Sequence, residues 1–129
     1  MSTGGLRDTR YWLANAVAAL VILVILGVHM GLIHLDGLLG LINPAWAEPL
    51  AWERVRARGE SGWFTLSYIV LVGTALFHGL YGLHTILTEV WDSPRAAVRI
   101  AAGCWVAGVA LFAVGTTGVL MFHFTVTGS

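Results

Sequence analysis

Residues 62–91 read GWFTLSYIVLVGTALFHGLYGLHTILTEVW, and Glu89 is the only acid or lysine/arginine base in the whole stretch. A helix on the surface of a soluble domain carries a charged face opposite its apolar one. This stretch has none. It exceeds the roughly 20 residues needed to cross the hydrocarbon core of a bilayer. Backbone N–H and C=O groups find no water in lipid, so a single crossing segment must satisfy them internally, as a helix. Two more runs of the same kind flank it, from about Tyr11 to Leu35 and from about Val98 to Val126. The expected fold is therefore all-α and integral to a membrane. It is a single domain over residues 1–129 with three transmembrane helices.

Composition agrees with that. The chain of 129 residues is 57% hydrophobic and only 11% charged, where soluble domains carry about 25%. Mean hydropathy is +0.80. There is no lysine and the net charge is zero with histidine neutral, which leaves no basic face for nucleic acid. One cysteine, Cys104, excludes an intrachain disulfide and any cysteine-rich zinc or iron–sulfur site. The first apolar run is too long for a signal peptide, and no small-residue cleavage motif follows it.

The connections set the expected orientation. Arg7, Arg10, Tyr11 and Trp12 anchor the first span, and Trp91-Asp92-Ser93-Pro94-Arg95 turns the second into the third. Ser93 suits a helix N-cap and Pro94 the first helical position. The N-terminus and the second connection carry Arg7, Arg10, Arg95 and Arg99, against Arg54, Arg56 and Arg58 in the first connection. That bias votes for the N-terminus inside and the C-terminus outside. In the first connection, residues 44–58 set Trp46, Leu50, Trp52 and Val55 among charges. The pattern reads as a short interfacial helix on the outer surface or as an ordinary polar connection.

Five histidines carry most of the functional signal: His29, His34, His78, His84 and His123. His78 stands mid-span, where an ionisable group is expensive and marks a cofactor, ion or proton site. At 3.6 residues per turn, Gly82, Thr85 and Glu89 return to nearly the same face as His78. A glycine beside a mid-membrane histidine suits heme, since the flat ring must approach the helix backbone. A bare imidazole nitrogen is a good axial ligand to its iron. The bland reading of His78 is a hydrogen bond to a neighbouring helix.

Depth separates the histidines. At about 1.5 Å per residue, His78 lies about 16 Å from Glu89, and His29 about 28 Å from Arg10. With both anchors at the inner boundary, the two imidazoles sit roughly 10 Å apart in depth. One heme cannot take both, whereas two stacked hemes take one each, His78 inner and His29 outer. His34 points to another face of its helix and falls at the membrane edge, but replaces His29 as ligand if the helix starts later. His84 is two-thirds of a turn off the His78 face, placed to pair with a heme propionate or to face headgroups. His123 reads as interfacial, within reach of an outer propionate. Glu89 is either a boundary anchor or a proton-delivering group for a ligand below the heme. Thr85 and Thr88 are expected to bond carbonyls one turn earlier. Gly103 with Ala107, and Gly115 with Gly118, make small-residue faces for helix packing. Cys104 reads as a small core hydrophobe.

The run from Leu76 to Glu89, LFHGLYGLHTILTE, resembles the second transmembrane helix of succinate dehydrogenase membrane-anchor subunits. That family's pattern is a histidine, a glycine four residues later, and an acid seven after that, followed by tyrosine. His78, Gly82 and Glu89 match in spacing, while Val90 stands where the tyrosine is expected. The three-span layout and chain length also match. The resemblance implies that His78 is an axial ligand of heme b. It implies a second membrane-anchor subunit that supplies the other ligand and completes the heme-binding bundle, of which this chain is half. It further implies a flavoprotein and an iron–sulfur subunit on the inner side, in a respiratory complex of a prokaryotic cytoplasmic membrane. Electrons then pass from succinate through flavin and iron–sulfur clusters to a membrane quinone, near Glu89. Trp91 or Tyr81 stands in for the missing tyrosine. Some members hold two hemes, the layout His29 and His78 fit. Such members often use menaquinone, and ubiquinone and menaquinone both stay open here.

The chain has no flavin motif and no iron–sulfur ligands, so its expected part is to fix and tune a cofactor rather than to catalyse alone. Two other readings remain. One is a cytochrome b subunit of a different respiratory complex. The other is a heme-free structural anchor whose histidines only pack.

Overall fold

The structure is a computed structural model that describes residues 4–40, 42, 48 and 50–128. Four helices follow one another: α1 (Gly4–Leu39), α2 (Trp52–Glu60), α3 (Gly62–Val90) and α4 (Pro94–Thr127). No strand occurs among the described residues. Stretches Thr9–Leu39, Gly62–Val90 and Pro94–Thr127 are each long and apolar enough to cross a membrane. Their bounds contain the three expected spans, except for Trp91, which caps α3. Helices α1 and α4 run on beyond the expected spans, to 36 and 34 residues, about 54 and 51 Å at 1.5 Å per residue.

The corner between α3 and α4 forms as its residues dictate. Pro94 opens α4 and the Ser93 hydroxyl accepts from the Ala96 N–H at 3.1 Å, satisfying one of the helix's orphan donors. The first connection contains α2, a nine-residue helix over Trp52–Glu60. It covers the second half of the expected surface segment. Pro44 and Trp46 of that segment lie outside the described residues, as does the side chain of Arg7. A single extended residue, Ser61, separates α2 from α3.

Helix α2 docks on the far ends of α3 and α4. The Trp52 ring meets Phe122 edge-on, with centroids 6.3 Å apart. Gly59 lies so close under Phe122 that a Cβ would run into the ring. Arg56 pairs with Glu60 at 2.8 Å and reaches the Val126 carbonyl at 3.4 Å. Val126 and Thr65, at 4% and 7% exposure, belong to the few buried residues of the chain.

Helix α3 is the middle of a row. It packs on α1 on one side and α4 on the other, and among the described residues α1 and α4 do not touch. Three glycines set the α3–α4 approach: Gly108 under Leu80, Gly115 under Val72 and Gly73 under Phe112. A Cβ at these positions would stand 2.9, 3.1 and 3.2 Å from those side chains. Gly115 makes the expected close approach to α3 and its partner Gly118 does not, while Gly103 and Ala107 line an apolar groove with Leu80 and Leu83 of α3. Gly103 and Gly118 have no atom within 4 Å of a Cβ position, and Gly108 takes the close approach instead. The reason is register. Which glycine meets a bulky residue depends on how α3 slides along α4, and spacing within one helix does not encode that.

Candidate functional site

The α1–α3 seam holds the polar side chains. On α3, His78 lies about 120–160° around the helix from Val72, Gly73 and Leu80, the residues turned to α4. It is half-buried, and its Nδ1 sits 3.3 Å from the backbone carbonyl of Asn15 on α1. A carbonyl only accepts, so the proton of that bond is on Nδ1 and the lone pair of the neutral ring is on Nε2. The bond that fixes the ring is thus also one that leaves a coordinating nitrogen. Metal-binding histidines are commonly held this way, with the second nitrogen donating to a carbonyl.

One turn further on, Gly82 has no atom within 4 Å of the position of a Cβ. The face beside His78 is therefore open at the level of the backbone. Below it, Thr85 and Thr88 bond the carbonyls of Tyr81 and His84 at 3.0 and 2.8 Å, one turn earlier as expected. Glu89 and Trp91 are exposed at the end of α3. His84 is half-buried, and its ring makes no hydrogen bond to the described residues.

His29 occupies the other end of the same seam. It packs edge-on against Tyr68 of α3, with centroids 5.5 Å apart, and its Nδ1 is 3.5 Å from the Tyr68 hydroxyl. A phenol both donates and accepts, so this contact does not settle which ring nitrogen carries the proton. Asn15 and His29 share one face of α1, fourteen residues and about 40° apart. Their partners, His78 and Tyr68, are ten residues apart on α3. The two histidines are separated by about 15 Å along α3, or about 21 Å along α1, rather than roughly 10 Å. The difference arises because Asn15 faces His78, where anchors at one boundary would put Val21. The helices slide roughly one to two turns from the arrangement in which Arg10 and Glu89 share a boundary. The separation strengthens the conclusion that one iron cannot take both imidazoles.

The remaining histidines are tied elsewhere. His34 is exposed, and its Nδ1 donates to Met30 O of its own helix at 2.8 Å. His123 donates from Nδ1 to the Gly59 carbonyl at 2.7 Å, with Thr65 Oγ1 a second acceptor at 3.2 Å. The Thr65 hydroxyl proton in turn goes to Ser61 O. His123 therefore pins α4 to the α2–α3 corner. Cys104 is half-buried and lines a shallow apolar groove of about 240 Å³ with Leu80, Leu83 and Gly103.

Asn15 and Tyr68 are the partners of the seam histidines that the histidine pattern alone does not point to. Their signal was present: an amide and a phenol inside apolar runs, each needing a partner. Two other polar atoms draw notice, Asn15 Oδ1 and Thr116 Oγ1, which are buried without a hydrogen-bond partner among the described residues. No group of three or more His, Cys, Asp or Glu side chains comes together among the described residues. His78 keeps one nitrogen, Nε2, free of the bond to Asn15. One nitrogen is what an axial position of heme iron takes from a chain, and the backbone clearance at Gly82 suits a flat ring, so these residues fit heme. No family model matches the chain, and no curated protein or solved structure is significantly similar to it.

Proposed function

We propose that this chain is a heme b-binding membrane-anchor subunit of a succinate:quinone (or fumarate:quinone) oxidoreductase. One observation carries the proposal: His78 is held inside an apolar span by a carbonyl on Nδ1, so that Nε2 keeps its lone pair, beside a glycine face with nothing on it. His78 is the ligand of the inner heme and His29 that of the outer, and a second membrane-anchor subunit completes both sites. A b-type heme supplies a one-electron carrier between the soluble subunits and the membrane quinone. Asn15 orients His78, Tyr68 packs against His29, and Gly82 leaves room for the ring. Glu89 and Trp91, exposed at the end of α3, form the chain's side of a quinone pocket, with His84 near an inner propionate. The iron–sulfur and flavoprotein subunits dock on the inner side, where the N-terminus and the α3–α4 turn lie. The membrane is a prokaryotic cytoplasmic membrane.

The test is a reduced-minus-oxidised difference spectrum of the complex purified through this chain. A b-type band is expected, halved in His78→Ala and halved in His29→Ala. A complex without the band sinks the proposal. A band unchanged in His29→Ala removes the outer heme while leaving the inner. The hydrogen bond from His78 to Asn15 also favours a second reading, a heme-free anchor in which His78 only ties α3 to α1. In that case His78→Ala weakens the chain's stability and no variant alters a visible spectrum. Loss of succinate-driven quinone reduction on deleting the chain distinguishes this complex from other cytochrome b assemblies.

A further inference from the structure

Asn15 offers His78 two oxygens, and one of them is idle. Its backbone carbonyl accepts from His78 Nδ1 at 3.3 Å, long for an N–H···O bond. In a regular α-helix that carbonyl already accepts from the N–H four residues on, so the bond to His78 is its second. The side-chain Oδ1 of the same residue is buried and has no donor among the described residues. A buried amide oxygen is costly to leave unpaired, and in an apolar span no bulk water relieves it. The Nδ1–H of His78 is already engaged with the same residue, at its backbone carbonyl.

We propose that the Asn15 side chain is a positioning residue for His78, its Oδ1 being the acceptor that holds the Nδ1–H when Nε2 carries a ligand. The proposal rests on the heme reading for the identity of that ligand. Its content concerns this chain alone: Asn15 sets which nitrogen of His78 is free and how basic it is. A stronger acceptor on Nδ1–H pushes electron density toward Nε2 and favours the ferric iron; a missing acceptor does the reverse. Tyr68, which both donates and accepts, gives His29 no such fixed bias. The two histidines of the seam are then unequal by construction.

Two measurements on the full chain test this. In the heme-free chain in lipid bilayers, nitrogen-15 spectra of labelled histidine report the tautomer of His78. The wild type and both Asn15→Asp and Asn15→Leu are expected to be protonated at Nδ1, because the backbone carbonyl of residue 15 holds that proton in the unliganded chain. In the heme-loaded complex, Asn15→Leu is expected to lose heme affinity by roughly tenfold, within the range seen on removing such supporting groups. It also raises the midpoint potential of the inner heme, and Asn15→Asp lowers it. Opposite shifts from two variants at one position are not the signature of misfolding. Unchanged potential and heme affinity in Asn15→Leu overturn the inference, since the backbone carbonyl would then suffice; so does an Nε2–H tautomer in the wild type. If the wild-type complex has no b-type band, the heme reading fails and the nitrogen spectra alone decide whether residue 15 holds the Nδ1 proton.

Discussion

Gly82 and Gly108 look alike in the sequence and do opposite things. Nothing lies within 4 Å of a Cβ at Gly82, whereas at Gly108 a Cβ would stand 2.9 Å from Leu80 Cδ1. Replacing Gly82 with Leu therefore costs the isolated chain no packing, and helix propensity gains about 1 kcal/mol. Placing Leu at Gly108 forces α4 away from α3 and costs about 1–3 kcal/mol. If Gly82 is the clearance for a heme ring, Gly82→Leu leaves thermal stability of the heme-free chain intact or raised and abolishes the inner b-type band. Gly108→Leu lowers the unfolding midpoint first. Calorimetry of the heme-free chains and the difference spectra of the complexes separate the two. Gly82 was legible because the His78 stripe singles it out. Gly108 was not, because its role depends on Leu80 of another helix.

The elements show the same division between what lies within a helix and what lies between helices. The spans follow from length and apolarity, and their bounds emerge within a few residues because Ser93, Pro94 and the single-residue corner at Ser61 are local devices. Removing the Ser93 hydroxyl, as Ser93→Ala, is expected to cost about 1 kcal/mol, read as faster amide exchange in the first turn of α4. Pairing register was not legible. That Asn15 faces His78 and Tyr68 faces His29 follows from how α1 slides along α3, and it moved the two histidines further apart than their anchors implied. His123 was also beyond reach. Its end-of-span position suits an interfacial residue, but its partners are the Gly59 carbonyl and Thr65, 64 and 58 residues away. His123→Ala leaves Gly59 O without that donor and is expected to loosen α2 by about 1 kcal/mol, a roughly fivefold rise in exchange over residues 52–60. A change confined to heme spectra, with exchange unaltered, would return His123 to a heme-contacting role.

At the scale of the whole molecule, the row α1–α3–α4 has almost no interior. Trp105, Val114 and Leu23 are exposed by 74%, 72% and 69%, and Ala18 and Val126 are its buried apolar residues. Lipid tails cover apolar side chains well, so exposure alone does not demand a protein partner. The seam does. His78 is half-buried between two helices, and its free nitrogen has no second ligand from this chain among the described residues. A six-coordinate iron at His78 would need a nitrogen from outside, and the open face at Gly82 leaves an approach. Expressed alone, the chain is expected to bind heme weakly, in a five-coordinate or water-bound form. Co-expressed with the second membrane subunit, it is expected to give the low-spin spectrum of two nitrogen ligands. If the chain alone already shows that low-spin spectrum in monomeric form, a second histidine of this chain reaches the iron, and the arrangement of one ligand per subunit is wrong.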